Sequence, residues 1–460
     1  MSSAQRVAVI GAGPAGFYTS DFLLKADFDV DLFDALPTPF GLVRAGVAPD
    51  HPKIKRVTRA YERTASHPRF RFFGGVSFGD DVQRDELLAR YHAVVYATGT
   101  PTDNRLGIPG EDRPGSHAAT EFVAWYNGHP GHTEHSFDLS AKRAVVIGNG
   151  NVAVDVARML VLDPDELAPT DTADHAIAAL AEAQVQEVVL LGRRGPAQAA
   201  FTNPELLELG ELKRADVIVD PAAMELDEHS SAWLASDAAD TTNRRNVEIL
   251  RDYAARVPAG KSHRVVLRFL RSPLEILGDA DDSVAGLRVV RNELVPDGRG
   301  GLRAVATDQQ ETIDCGLVLR SIGYRGVPLP GVPFDEQRGL IRNDDGRVLA
   351  DDGSRALGEY AVGWIKRGPS GVIGTNKKDA HETVERLLED RDAGRLRDPD
   401  AEQCTAEAVD AWLRGRVPHL VTWTGWGTID AHEQALGEPH NRPRVKLVRI
   451  PEMLDVAHSS

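Results

Sequence analysis

The sequence predicts an α/β protein built on two Rossmann-like dinucleotide-binding units, on three observations. The apolar run Val7-Ala8-Val9-Ile10 leads directly into Gly11-Ala12-Gly13-Pro14-Ala15-Gly16. A second run, Ala144-Val145-Val146-Ile147, leads into Gly148-Asn149-Gly150-Asn151-Val152-Ala153. A helical pattern follows each cluster, and a strand, a glycine turn and a helix in that order form a phosphate-cradling βαβ unit. One match is weak evidence, but two in one chain imply two dinucleotides and electron traffic between them.

Composition permits this architecture. With 460 residues, 42% hydrophobic and 27% charged, the chain has room for two or three domains with sizeable cores. Its formal net charge of −16 argues against a nucleic-acid-binding surface while leaving room for a local basic patch. Neither a basic n-region nor an apolar h-region precedes the first strand, and no apolar stretch reaches spanning length. A cytoplasmic protein without a membrane span is expected. Cys315 and Cys404 form no C-x-x-C pair, so buried, inert thiols are expected in place of a redox dithiol or metal cluster.

In the first turn, Gly11 permits the tight bend, Gly13 lets backbone approach a pyrophosphate, and Gly16 allows close helix–strand packing. The next strand, Val30-Asp31-Leu32-Phe33, ends at Asp34, where such a unit places the carboxylate that bonds ribose hydroxyls. That suits an unmodified adenosine ribose, as in FAD or NAD. The second unit carries Ala153 as its third small residue, and its next strand, Val188-Val189-Leu190-Leu191, ends in Gly192-Arg193-Arg194-Gly195. Two forked guanidiniums match a 2′-phosphate that a carboxylate would repel, so the second nucleotide is expected to be NADP. The Asp/Pro/Thr-rich stretch 162–175 reads as a surface excursion, and 220–242 as a helical or loop elaboration.

Longer strings carry a resemblance. Pro37-Thr38-Pro39-Phe40-Gly41-Leu42-Val43-Arg44, Gly46-Val47-Ala48-Pro49-Asp50-His51-Pro52, Gly363-Trp364-Ile365-Lys366-Arg367-Gly368-Pro369 and Pro443-Arg444-Val445-Lys446-Leu447, with both glycine motifs, resemble the adrenodoxin reductase family in its bacterial NADPH–ferredoxin reductase branch. The resemblance implies a discontinuous FAD domain with an inserted NADP domain: residues 1–105 and 325–460 for FAD, 106–324 for NADP. At matching positions it implies that Ala15, Asp34, Leu42, Phe78, Trp364, Gly371, Val372 and Ile373 touch FAD. Asn149, Gly150, Asn151, Val152, Arg193, Arg194, Glu205 and Gly371 would touch NADP. Two departures stand out: Asp34 replaces a glutamate common in relatives, and Asn104 stands where a relative offers arginine, with Arg105 next in line.

Other readings stand beside the resemblance. Gly371 lies in Gly368-Pro369-Ser370-Gly371-Val372-Ile373-Gly374-Thr375-Asn376, a turn opening a helix, which presents N–H groups and a positive helix end to a flavin. Thr202-Asn203-Pro204-Glu205 also reads as a capping box, which competes with a cofactor role for Glu205. The resemblance gives His51 a place near the reacting ring, and with Glu208 it is the candidate for orienting nicotinamide or handling a proton. Asp155 is a weaker candidate.

The implied activity follows from electron counting. NADPH gives up two electrons as hydride, whereas an iron–sulfur ferredoxin accepts one, and a flavin reconciles the two. The alternatives are an electron-input component related to the small chain of glutamate synthase, which typically adds a cysteine-rich domain absent here, and a non-catalytic nucleotide sensor. Lys53, Lys55, Arg56, Arg59 and Arg63 form a local basic run suited to a ferredoxin partner, with Arg442, Arg444, Lys446 and Arg449 as a second.

Overall fold

A computed structural model describes residues 5–459. The chain forms two compact units, one of residues 1–102, 127–133 and 323–460, the other of 103–126 and 134–322.

In the first unit, strand Arg6–Ile10 is wholly buried, because β-branched and small residues occupy both of its faces. Asp29–Asp34 and Phe70–Gly74 extend the sheet on one side of it, and Ala93–Tyr96 and Arg355–Ala361 on the other, all parallel. Strand order therefore reverses at Arg6–Ile10, and ligands of open α/β sheets bind beyond the carboxyl end of such a switch point. Two short antiparallel strands, Arg347–Leu349 and Asn343–Asp344, finish the edge. Helix Pro14–Lys25 covers one face, where Phe17 stacks on Tyr61 with ring centroids 4.8 Å apart. Asp31, fully buried in the sheet, accepts from Tyr91 Oη at 2.8 Å and pairs with Arg71 at 2.6 Å, which satisfies a charge otherwise costly to bury.

The second unit holds a six-stranded parallel sheet in the order Ser116–Ala118, Leu317–Arg320, Arg143–Ile147, Glu187–Leu191, His263–Arg268, Ala215–Val219. The reversal falls at Arg143–Ile147, the strand before the second glycine cluster. A three-stranded antiparallel sheet, Arg271–Gly278, Val284–Pro296 and Leu302–Asp314, belongs to this unit.

Three details differ from the sequence reading. Residues 162–175 are no loose excursion: Leu167, Thr170, Asp171, Thr172 and Ala173 are buried, and Thr170 and Thr172 hydroxyls bond each other at 2.6 Å. Residues 127–133 join the first unit, where the buried Lys446 Nζ donates to Asn127 O at 3.0 Å, a contact between positions far apart in sequence. Of the thiols, Cys315 is buried and pushed up to about 12 by desolvation, but Cys404 is partly exposed. The stretch 220–242 is largely helical. Among the described residues, no helix is long and apolar enough to cross a membrane.

Candidate functional site

Each unit presents a glycine turn of the same construction. Gly11 has φ 110°, and a Cβ there would lie 2.6 Å from Ala97 O; a Cβ on Gly16 would collide with Gly11 O. Both positions therefore require glycine. Gly13 is different: it has φ −83° as the N-cap of Pro14–Lys25, and a Cβ would meet nothing within 4 Å. The protein leaves space there although backbone conformation does not demand glycine, which fits a ligand lying against that backbone. The second unit repeats the design. Gly148 has φ 140° and its Cβ would clash with Ser321 O, whereas Gly150, with φ −99° at the N-cap of Asn151–Val161, faces nothing within 4 Å. Ala153 is fully buried on the inner face of that helix.

Behind the first turn, Asp34 Oδ2 accepts the Ala12 N–H at 2.8 Å and Oδ1 accepts the Leu36 N–H at 2.9 Å. Desolvation nevertheless pushes its carboxyl up to about 6, against the two N–H bonds that favour the charge. Ala15 is buried, and its Cβ would stand 2.7 Å from a Cβ on Gly363, whose φ of 77° also favours glycine. Gly41, with φ 48°, brings the start of helix Leu42–Ala45 against Gly13; Leu42 is 41% exposed. Phe78 is partly buried, edge-on to Tyr96 at 5.7 Å.

The late segment adds a platform. Trp364 opens a short helix 5.2 Å, ring to ring, from Tyr324, and its Nε1 is buried with no hydrogen-bond partner. Gly371, with φ 79°, and the 54% exposed Val372 lie in the exposed turn ahead of helix Thr375–Asp392, with Ile373 partly covered. Side-chain bonds that the sequence does not show hold this turn and the short helix before it. Arg367 donates to Asn376 Oδ1 at 2.9 Å and Ser370 Oγ at 3.1 Å, and buried Asp379 accepts from Lys366 Nζ at 3.0 Å. An orphaned buried indole N–H, two exposed apolar side chains and an open glycine cradle fit a large planar cofactor with a pyrophosphate, which is the chemistry of FAD.

In the second unit, Arg193 and Arg194 follow strand Glu187–Leu191 as predicted, exposed and half-buried. Neither has an ion-pair partner among the described residues, and burial together with the Arg193 charge holds Arg194 below the usual guanidinium range. Neighbouring cations without an acid suit an anion. Asn292, another residue invisible to local reading, pins the turn by donating to Arg193 O at 2.7 Å. Asn149 O accepts the Ala200 N–H at 3.0 Å; Val152 is partly buried in the first turn of its helix.

The capping box at Thr202 does not form. Thr202 is the N-cap of Asn203–Leu209, but its side chain makes no capping bond and Asn151 Oδ1 takes its N–H at 2.8 Å. Glu205 is buried, and Glu208, one turn on, pairs with Arg158 at 3.4 Å. Asp155 pairs with the same Arg158 at 3.1 Å, an ordinary i,i+3 bridge. Arg105 turns onto Asp112 at 2.5 Å and Glu111 at 3.5 Å. In the first unit, His51 is buried as the N-cap of Pro52–Lys55.

Residues 5–163 match the pyridine nucleotide-disulphide oxidoreductase family. NADPH-ferredoxin reductase FprA of Mycobacterium leprae is 50% identical over 98% of both chains. The chain belongs to the adrenodoxin reductase family, in its bacterial NADPH–ferredoxin reductase branch. The mitochondrial NADPH:adrenodoxin oxidoreductase of Salvelinus fontinalis is 42% identical over 100% of this chain and 92% of its own. The structure of Mycobacterium tuberculosis FprA in complex with NADPH superposes with a TM-score of 0.93 at 49% identity, over 99% of this chain and 100% of that one.

Proposed function

We propose that this oxidoreductase is an NADPH–ferredoxin reductase: it takes electron pairs from NADPH and passes them through FAD, one at a time, to an iron–sulfur ferredoxin. The observation that carries the reading is the pair of like-built turns, one backed by the Asp34 carboxylate and the other by Arg193 and Arg194 without an acid partner. An acid suits the plain ribose of FAD, and arginines suit the 2′-phosphate of NADPH. Full-length likeness to FprA supports it.

FAD, when bound, supplies the capacity to take up a hydride and release single electrons. The chain supplies position and charge. Backbone at Gly13 and Gly150 receives pyrophosphates, and the helices that begin there stabilise them. Leu42, Val372, Ile373 and Trp364 would flank the flavin, and the exposed turn at Gly371 would offer it N–H groups. Phe78 borders the adenine end. Asn149, Asn151, Val152 and Glu205 line the nucleotide path, and His51 and Glu208 orient the nicotinamide or hold a proton. The cytoplasm, which holds NADPH, is the compartment this reading assigns.

The test is direct. Purified protein should be yellow, release FAD on denaturation, and reduce ferricyanide and ferredoxin with NADPH. Colourless, folded protein that takes up no FAD would end the reading, and bound flavin that NADPH fails to reduce would favour a sensor.

A further inference from the structure

We propose that the turn Pro52–Lys55 and the following helix Thr58–Ala65 form the docking surface for the ferredoxin, with Ile54 as its apolar anchor; this rests on the reductase reading above. Sequence spacing suggests one continuous basic helix face, but the structure breaks it. Arg56 ends the first short helix and Val57 begins the second, with the Arg59 N–H returning to Arg56 O at 3.2 Å. Arg59 and Arg63, one turn apart, share a face, and Arg56 occupies the joint beside it.

Lys53, Arg56, Arg59 and Arg63 are exposed and have no ion-pair partner among the described residues. Ile54, between Lys53 and Lys55, is 41% exposed. The fold gains nothing from leaving that side chain in water. An apolar centre with a charged rim is the anatomy of a protein interface, in which the centre carries affinity and the rim steers approach. The competing basic run is committed to internal contacts: Arg444 pairs with Asp430 at 2.6 Å and Glu433 at 3.1 Å, and Lys446 is buried on Arg44 O at 3.1 Å.

Two further points select the occupant. The chain carries −16 overall, so a carboxylate-rich iron–sulfur protein meets net repulsion that a local cluster of unpaired cations offsets, which favours encounter at such a patch. The patch also begins near the FAD cradle. Gly41 abuts Gly13, helix Leu42–Ala45 follows it, and Pro52–Lys55 packs on that helix.

The experiment mixes NADPH-reduced holoenzyme with an acidic ferredoxin by stopped flow across a salt series, with an uncharged quinone as the small acceptor. Arg56→Glu with Arg59→Glu should lower the ferredoxin rate constant about tenfold or more at low salt and flatten its salt dependence. Ile54→Ser should weaken ferredoxin affinity about tenfold while the salt slope stays as in wild type. Both should reduce the quinone at the wild-type rate, which certifies fold and flavin; Arg56→Gln with Arg59→Gln repeats the test more gently. Wild-type reduction of ferredoxin with variants that match it in rate and salt slope overturns the docking surface alone. Wild type that reduces the quinone but no ferredoxin overturns the reductase reading and this surface with it.

Discussion

At the scale of single residues, Asp34 makes cofactor affinity depend on pH. Without FAD its carboxyl keeps its proton up to about 6, where the unfolded chain has released it near 3.8. Rising pH through that window therefore destabilises the cofactor-free fold, and falling pH relieves the cost. Ribose hydroxyls donate to the ionised carboxylate, so FAD affinity should be full above about pH 6 and decline as pH drops through it. Quenching of flavin fluorescence on titration into cofactor-free protein would show this, and Asp34→Asn should flatten the profile. At Arg193 the expectation concerns selectivity. Hydrogen bonds to charged groups contribute about 1.5–3 kcal/mol, so Arg193→Ala should raise KM for NADPH roughly tenfold or more and leave NADH kinetics unchanged. Equal weakening of both nucleotides would contradict the 2′-phosphate assignment.

At the scale of elements, the two turns separate glycines the fold needs from glycines a ligand needs. Gly16→Ala forces a methyl onto Gly11 O and should unfold or grossly destabilise the first unit. Gly13→Ala meets no protein atom and has an ordinary φ, so its thermal stability without cofactor should hold while FAD affinity falls. Gly150→Ala should do the same for NADPH and leave FAD content intact. The motif spacing was legible in the sequence, because a strand–turn–helix needs glycine at fixed intervals. The capping box was misread for a related reason: local spacing cannot reveal that Asn151, fifty-odd positions earlier, takes the Thr202 N–H. Asn151→Ala should free that donor, cost about 1 kcal/mol, and shift the helix that carries Glu205 and Glu208.

At the scale of the molecule, the two compact units give two cores, each with its own parallel sheet. Calorimetry of cofactor-free protein should show FAD raising the melting of the first unit and NADP+ that of the second, by linkage to the native state. A single transition raised equally by either ligand would contradict this assignment of cofactors to units. The first unit is closed by late segments: Glu433, buried, takes Arg44 at 2.5 Å, and Lys446 reaches Arg44 O and Asn127 O. Lys446→Met should leave both acceptors without their donor and lower Tm, as read by circular dichroism.

By itself the sequence determined the α/β class, the two glycine turns, the acid behind one and the arginines behind the other, because each depends on residues within a single βαβ unit. The family resemblance extended this along the chain. Only the tertiary structure decided that residues 162–175 are packed and that 127–133 join the first unit. It also decided that Arg444 and Lys446 serve the fold, whereas Ile54 and the cations around it stay exposed. Those outcomes depend on which distant side chain reaches a given donor or covers a given methyl group, and burial and partnership are properties of the packed chain that no local periodicity encodes.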